Sequence, residues 1–168
     1  GCGDVVGTFS WNNTAHLEAY LAIPSMGAIM HTVNLRLSPE HVAYVINHAE
    51  DKVLILDGSL AALFAPVVPL LTTVKTILVV GDEAESQADY EGIDCQSYDA
   101  LVRADALTLH RLELDVTTAT AVCYTSGTTL NIQGAVYRQQ TNIVHDIVSR
   151  AMVLFDSSQR SRTHRSQS

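Results

Sequence analysis

Hydrophobic and polar positions alternate along the chain between short apolar runs and segments of helical spacing. Residues 5–11 form the first apolar run and predict a strand. Asn12, Asn13 and Thr14 follow as candidate helix caps, and Leu17, Tyr20, Leu21 and Ile23 recur at near-helical spacing until Pro24 and Gly27 interrupt the pattern. Residues 28–33 are a second short apolar segment. Ser38 and Pro39 then stand where a cap and a first helical residue belong, with Val42, Val45, Ile46 and Ala49 on one face of the predicted helix. Residues 52–56 predict a buried strand that enters a turn at Asp57-Gly58. Residues 60–71 supply a helix broken near Pro66 and Pro69, and residues 74–80 a further apolar run stopped by Gly81. Runs that are continuous rather than alternating imply strands buried on both faces.

The second half of the chain is more polar. Residues 82–99 hold seven acids and no base, which predicts a solvated surface connection. A short helix is expected over 98–104, a buried strand over 118–124, a loop over 125–134, a short strand over 135–137 and an amphipathic helix over 141–155. Residues 157–168 contain no apolar side chain and are expected to be disordered. The repeating strand and helix order gives an α/β fold, a mainly parallel sheet with flanking helices.

Composition narrows the function classes. Ten Lys plus Arg against eighteen Asp plus Glu leave a net charge of −8, a field that repels phosphate backbones and anionic lipid, so no nucleic-acid partner is expected. The longest apolar run is broken by prolines and falls short of the ~20 residues a spanning helix needs, so no transmembrane segment is expected. Cys2, Cys95 and Cys123 are odd in number and lack C-x-x-C spacing, which suggests neither a disulfide framework nor a zinc knuckle and fits a cytoplasmic location. His41 and His48 share a predicted helix but stand seven residues apart, about 10.5 Å of rise, too far to grip one ion. His16, His31, His110 and His145 show no paired ligand spacing, so no metal site is assigned. There is no G-x-S-x-G elbow and no Walker G-x-x-x-x-G-K, which removes those hydrolase and nucleotide-binding readings.

The stretch after the predicted strand 118–124 carries the chemistry. Thr125, Ser126, Gly127, Thr128 and Thr129 put four hydroxyls and one glycine in five positions. Hydroxyls and the amides of a tight turn donate hydrogen bonds, and a row of donors at a strand's C-terminal end suits phosphate oxygens. A plain polar turn has the same composition. The ordered string Tyr124 through Thr129 with Gly134 resembles the phosphate-binding signature of the AMP-forming, acyl-activating enzymes. A given five-residue string arises by chance in a chain this long with odds on the order of one in ten thousand. Residues 31–54, H-T-V-N-L-R-L-S-P-E-H-V-A-Y-V-I-N-H-A-E-D-K-V-L, and the opening residues 3–12 are similar to segments of medium- and long-chain fatty-acid CoA ligases.

The resemblance implies that residues 1–156 are a partial N-terminal AMP-binding domain, part of the large domain of an adenylate-forming enzyme, followed by the polar tail 157–168. It implies ATP-dependent formation of an acyl adenylate from a fatty or other carboxylic acid, then thioester formation, with ATP, Mg²⁺ and coenzyme A taking part. Thr125, Ser126, Gly127, Thr128, Thr129, Gln133 and Gly134 are then the phosphate-binding positions, and no catalytic residue is assigned. Three positions depart from the pattern: Leu130 stands where the family has Gly, Ile132 where it has Pro, and Gln133 where it has Lys. The loss of a charge-assisted contact, worth about 1.5–3 kcal/mol, lowers the expected affinity for ATP roughly tenfold to a hundredfold. The family's adenine-binding motif, its acidic Mg²⁺ ligands, its hinge and its C-terminal Lys have no counterpart in these residues. The expectation is therefore a fragment, beginning within a domain and ending in a truncated or out-of-frame tail, impaired or inactive alone. A non-catalytic nucleotide-binding remnant or an interaction fragment is the alternative, and an incomplete surface is expected to self-associate.

Overall fold

The computed structural model describes residues 2–81, 90, 92–104, 115, 117–126 and 132–138. The predicted helix over 141–155 and the tail 157–168 lie outside the described residues. Strand β1 (Val5–Phe9) leads into helix α1 (Thr14–Ser25), β2 (Ile29–Thr32), α2 (Pro39–Ala49) and β3 (Asp51–Asp57). A 3-10 turn at Gly58–Leu60, helix α3 (Ala61–Phe64) and a second 3-10 turn at Val68–Leu70 connect to β4 (Thr76–Val80). The chain continues with β5 (Asp94–Ser97), α4 (Tyr98–Ala104), β6 (Ala119–Ser126) and β7 (Ile132–Arg138). The seven strands form one sheet in the order β5-β4-β3-β1-β2-β6-β7, parallel throughout except for the antiparallel β6–β7 pair.

Local chemistry fixes the helix ends. Asn13 is extended and its side chain accepts the His16 amide at 2.9 Å, capping α1. Pro24 falls in the last turn of α1 rather than ending it, and Gly27, at φ +77°, turns the chain into β2. Ser38 caps α2 with Pro39 in its first turn, where the missing amide costs no hydrogen bond. Glu50 adopts the left-handed conformation at φ 58° and returns its amide to Asn47 O at 3.1 Å, ending α2 and starting β3 at once.

Two cores form on opposite faces of the sheet. The larger lies under α2 and α3 and joins Phe9, Val42, Val45, Ile46, Leu54, Leu56, Phe64, Ile77 and Val79. Its Phe9 and Phe64 rings meet at 5.0 Å between centroids, tilted by 52°, a geometry that contributes about 0.5–1.5 kcal/mol beyond the area buried. The smaller core, under α1, joins Ala19, Ile23, Ala28, Met30 and Ile55. Its side of the sheet is less completely covered: β4 buries Ile77 and Val79 while Leu78 and Val80 stay half-buried. Burial on both faces of β4, expected from its continuous apolar run, is thus only partial.

Two further expectations need correction. The acidic segment 82–99 is not wholly a surface connection, because Asp94–Ser97 forms β5 on β4 and α4 begins at Tyr98. An outermost strand of four half-exposed, mostly polar residues carries almost no period-two signal, and its pairing comes from the neighbouring β4 backbone. The predicted loop over 125–134 is shorter as well. β6 extends through Ser126 and β7 starts at Ile132, since Thr and Ser are compatible with extended backbone once an antiparallel partner is present.

Candidate phosphate-binding hairpin

The β6–β7 hairpin gathers the signature by backbone pairing. Tyr124 stands opposite Gly134, Thr125 opposite Gln133 and Ser126 opposite Ile132. Residues six to ten positions apart in sequence thereby become cross-strand neighbours. Thr125 and Ser126 are the last residues of β6, and β6 runs parallel to β2, so these two residues lie at the edge of the sheet where the parallel strands end. That edge is where α/β sheets place their ligands. Gly127, Thr128, Thr129 and Leu130 lie outside the described residues. The switch in crossover direction falls two strands away, between β1 and β3, where Asn13 Nδ2 donates to Asp57 Oδ2 at 2.8 Å.

Gly134 has a packing role that the sequence pattern does not reveal. A Cβ at this position would stand 3.0 and 3.1 Å from Cε1 and Cζ of Tyr124, so the absence of a side chain lets the tyrosine ring lie across β7. The Tyr124 hydroxyl meets His48 Nδ1 on α2 at 2.8 Å. The same ring packs against His31 at 5.1 Å between centroids, inclined at 60°. Burial pushes the Tyr124 phenol above its ordinary pKa, with the nearby Asp51 charge acting in the same direction.

Beneath Tyr124 lies a buried polar pair absent from the sequence analysis. His31, in the middle of β2, and Asp51, at the start of β3, are both fully buried, and His31 Nδ1 approaches Asp51 Oδ2 at 2.8 Å and Oδ1 at 3.0 Å. They belong to strands on opposite sides of β1. The carboxylate crosses β1 over Gly7, where a Cβ would fall 2.3 Å from Asp51 Oδ2. Burial pushes the Asp51 carboxyl above its ordinary range, and the hydrogen bond and charge of His31 offset part of that rise. His31 Nε2 is buried without a hydrogen-bond partner. Two signals in the sequence pointed here: a histidine on the apolar side of a short strand, and an isolated glycine inside a strand, which often marks a close approach.

His41 and His48 are exposed on α2. Among the described residues no group of three or more His, Cys, Asp or Glu side chains converges on a metal-sized site. Cys2, Cys95 and Cys123 are free thiols, and Thr32 Oγ1 lies 3.1 Å from Cys123 Sγ. No helix among the described residues is long and apolar enough to cross a membrane.

Comparison with known proteins agrees with this architecture. The family described as AMP-binding enzyme matches residues 1–163. A 3-methylmercaptopropionyl-CoA ligase of Ruegeria pomeroyi is 38% identical over 145 residues, which are 86% of this chain and 26% of that protein. A long-chain-fatty-acid–CoA ligase of Thermus thermophilus is 36% identical over 149 residues, 89% of this chain and 26% of that protein. A medium-chain-fatty-acid–CoA ligase of Ectopseudomonas oleovorans is 35% identical over 147 residues, 87% of this chain and 27% of that protein. The chain therefore spans about a quarter of the length of the curated relatives it matches. The crystal structure of the anthranilate CoA ligase AuaEII in complex with anthranoyl-AMP superposes with a TM-score of 0.72 at 23% identity, over 82% of this chain and 25% of that one, and supports the fold.

Proposed function

The chain belongs to the AMP-binding enzyme family, and from that premise we propose that it is the part of an ATP-dependent acyl-CoA ligase that grips the triphosphate. The β6–β7 hairpin is the observation that carries this reading. Its register sets Thr125 beside Gln133 at the end of a parallel strand, the edge at which a nucleotide would enter. In the proposed arrangement, hydroxyls of Thr125, Ser126, Thr128 and Thr129 and amides around Gly127 donate to the β- and γ-phosphate oxygens. Gln133 supplies a neutral contact, and Gly134, through its backbone, seats the Tyr124 ring beside it.

The chemistry that this grip serves is acyl activation. A carboxylate oxygen of a fatty or related acid attacks the α-phosphorus of ATP, the bond to the bridging oxygen breaks, and pyrophosphate leaves with the electron pair. The coenzyme A thiol then replaces AMP at the acyl carbon. By holding the departing phosphates, the hairpin stabilises the negative charge that develops on them. The donor set fits a polyanion, since it consists of hydroxyls and amides with no carboxylate among the assigned positions. Mg²⁺ belongs to this proposal as the counter-ion carried by the triphosphate. Coenzyme A and the acid are proposed from the family, with no described residue assigned to either.

The proposal divides the chain into a partial AMP-binding domain over residues 1–156 and a tail over 157–168, and places it in a reducing compartment such as the cytoplasm. Leu130, Ile132 and Gln133 weaken the grip relative to the family pattern, so the chain by itself binds MgATP without turning over. Calorimetry with MgATP, paired with a pyrophosphate-release assay in the presence of a fatty acid, tests both halves. The expected result is saturable binding and no pyrophosphate. Absence of binding contradicts the phosphate grip, and pyrophosphate release contradicts the claim of impairment.

A further inference from the structure

We infer that Tyr124 is a positioning residue for the hairpin: its phenol, hydrogen-bonded to His48 and seated on the His31 ring, sets the direction in which the end of β6 carries Thr125 and Ser126. The inference rests on the proposed role of that hairpin and adds to it a residue that makes no phosphate contact itself.

The hairpin needs such an anchor. β7 is the outermost strand, it pairs only with β6 in the described sheet, and residues 134–138 are all exposed. Val136 is 63% exposed, so apolar packing does little to hold this edge. Tyr124 links the edge to the body of the fold: two of its contacts reach the body and a third holds the edge strand itself. Its hydroxyl reaches His48 at 2.8 Å on α2, a helix fastened to the larger core by buried Val42, Val45 and Ile46. Its ring rests on His31, which is itself immobilised by two short contacts to buried Asp51. Its far edge covers Gly134, so the ring spans β6 and β7 together. Ser126 lies two residues beyond, about 7 Å along an extended strand, too short a lever to move independently of the anchor.

The contacts made by Tyr124 are separable by substitution. Tyr124→Phe removes the hydroxyl and leaves the ring over His31 and Gly134. His48→Ala removes the same hydrogen bond from the other side, while His48→Asn keeps a polar atom near the position of Nδ1. One neutral hydrogen bond corresponds to roughly a three- to tenfold change in an equilibrium constant.

Hydrogen exchange followed on the full chain tests the inference. Tyr124→Phe and His48→Ala should each speed exchange of the amides in β6 and β7 about three- to tenfold, and leave those of β1 and β3 unchanged. The double variant should be no faster than either single one, and His48→Asn should restore protection. The affinity for MgATP should fall by a similar factor in Tyr124→Phe. Unchanged hairpin exchange, additive effects, or equal acceleration across the whole sheet would overturn the inference. If the unmodified chain fails to bind MgATP, the phosphate reading falls separately, and the exchange pattern alone decides whether Tyr124 positions the hairpin.

Discussion

Replacing Gly7 by alanine probes the buried pair more directly than altering the pair itself. The added Cβ would sit 2.3 Å from Asp51 Oδ2, 2.8 Å from Leu54 Cδ1 and 3.1 Å from Asp51 Cγ. Ordinary contact begins near 3.4 Å, so the carboxylate must retreat by about 1 Å. Oδ2 is also the oxygen that His31 Nδ1 holds at 2.8 Å, and a retreat of that size breaks the shorter of the two contacts. If the carboxylate merely turns so that Oδ1 takes over, the cost is that of overpacking, about 1–3 kcal/mol. If the pair separates, a buried carboxylate and a buried imidazole each lose a partner, and the cost rises to about 3–5 kcal/mol. Both groups are completely buried, so water cannot compensate and the larger range applies. A loss of about 3 kcal/mol corresponds to a fall of roughly 6–12 °C in Tm for a domain of this size. Denaturant titration and thermal melting of Gly7→Ala measure it. Adding Asp51→Ala to Gly7→Ala should recover part of the loss, because the closer clash disappears with the carboxylate while the one with Leu54 Cδ1 remains. A Gly7→Ala chain within 1 kcal/mol of the parent, or strictly additive effects in the double variant, would refute the proposed crossing of Asp51 over β1.

Other outcomes follow from the same structure. Asn13→Ala removes both the cap on the His16 amide and the contact to Asp57, and should cost about 1–2 kcal/mol in a denaturant titration, with Asn13→Ser recovering the cap alone. Burial, together with the hydrogen bond to Glu18, pushes the Tyr98 phenol up to about 12. Its contribution to stability is therefore complete below pH 10, the unfolded value, and is lost as pH rises from 10 to about 12. Phenolate absorbance and melting over that window should show the loss, and Tyr98→Phe should flatten it. Gln133→Lys restores a cation opposite Thr125 and should tighten MgATP binding by about tenfold or more in calorimetry.

Much of the fold is legible from local rules. Asn13 and Ser38 announce α1 and α2 because a capping side chain acts within three residues, and the apolar spacing of Val42, Val45 and Ile46 faces the core as a helical period requires. β5 is not legible, since Asp94 and Gln96 owe their strand conformation to β4 rather than to their own pattern. The hairpin is half legible. The hydroxyl-rich string marks a phosphate-binding resemblance, but the pairing of Thr125 with Gln133 and the seating of Tyr124 on Gly134 depend on an antiparallel partner that composition does not specify. The pair of His31 and Asp51 escapes detection for a topological reason. They lie on strands separated by β1, and only the crossover that carries β3 past β1 brings them together.

The central claim is that the end of β6 and the start of β7 form one face that grips a triphosphate. An amide-resolved NMR titration of the chain with MgATP tests it most directly. The proposal predicts shifts concentrated at residues 125–129 and 133–134, saturating together, reproduced by magnesium pyrophosphate and small on β3, β4 and β5. Shifts gathered elsewhere on the sheet, or none at saturating nucleotide, would contradict it.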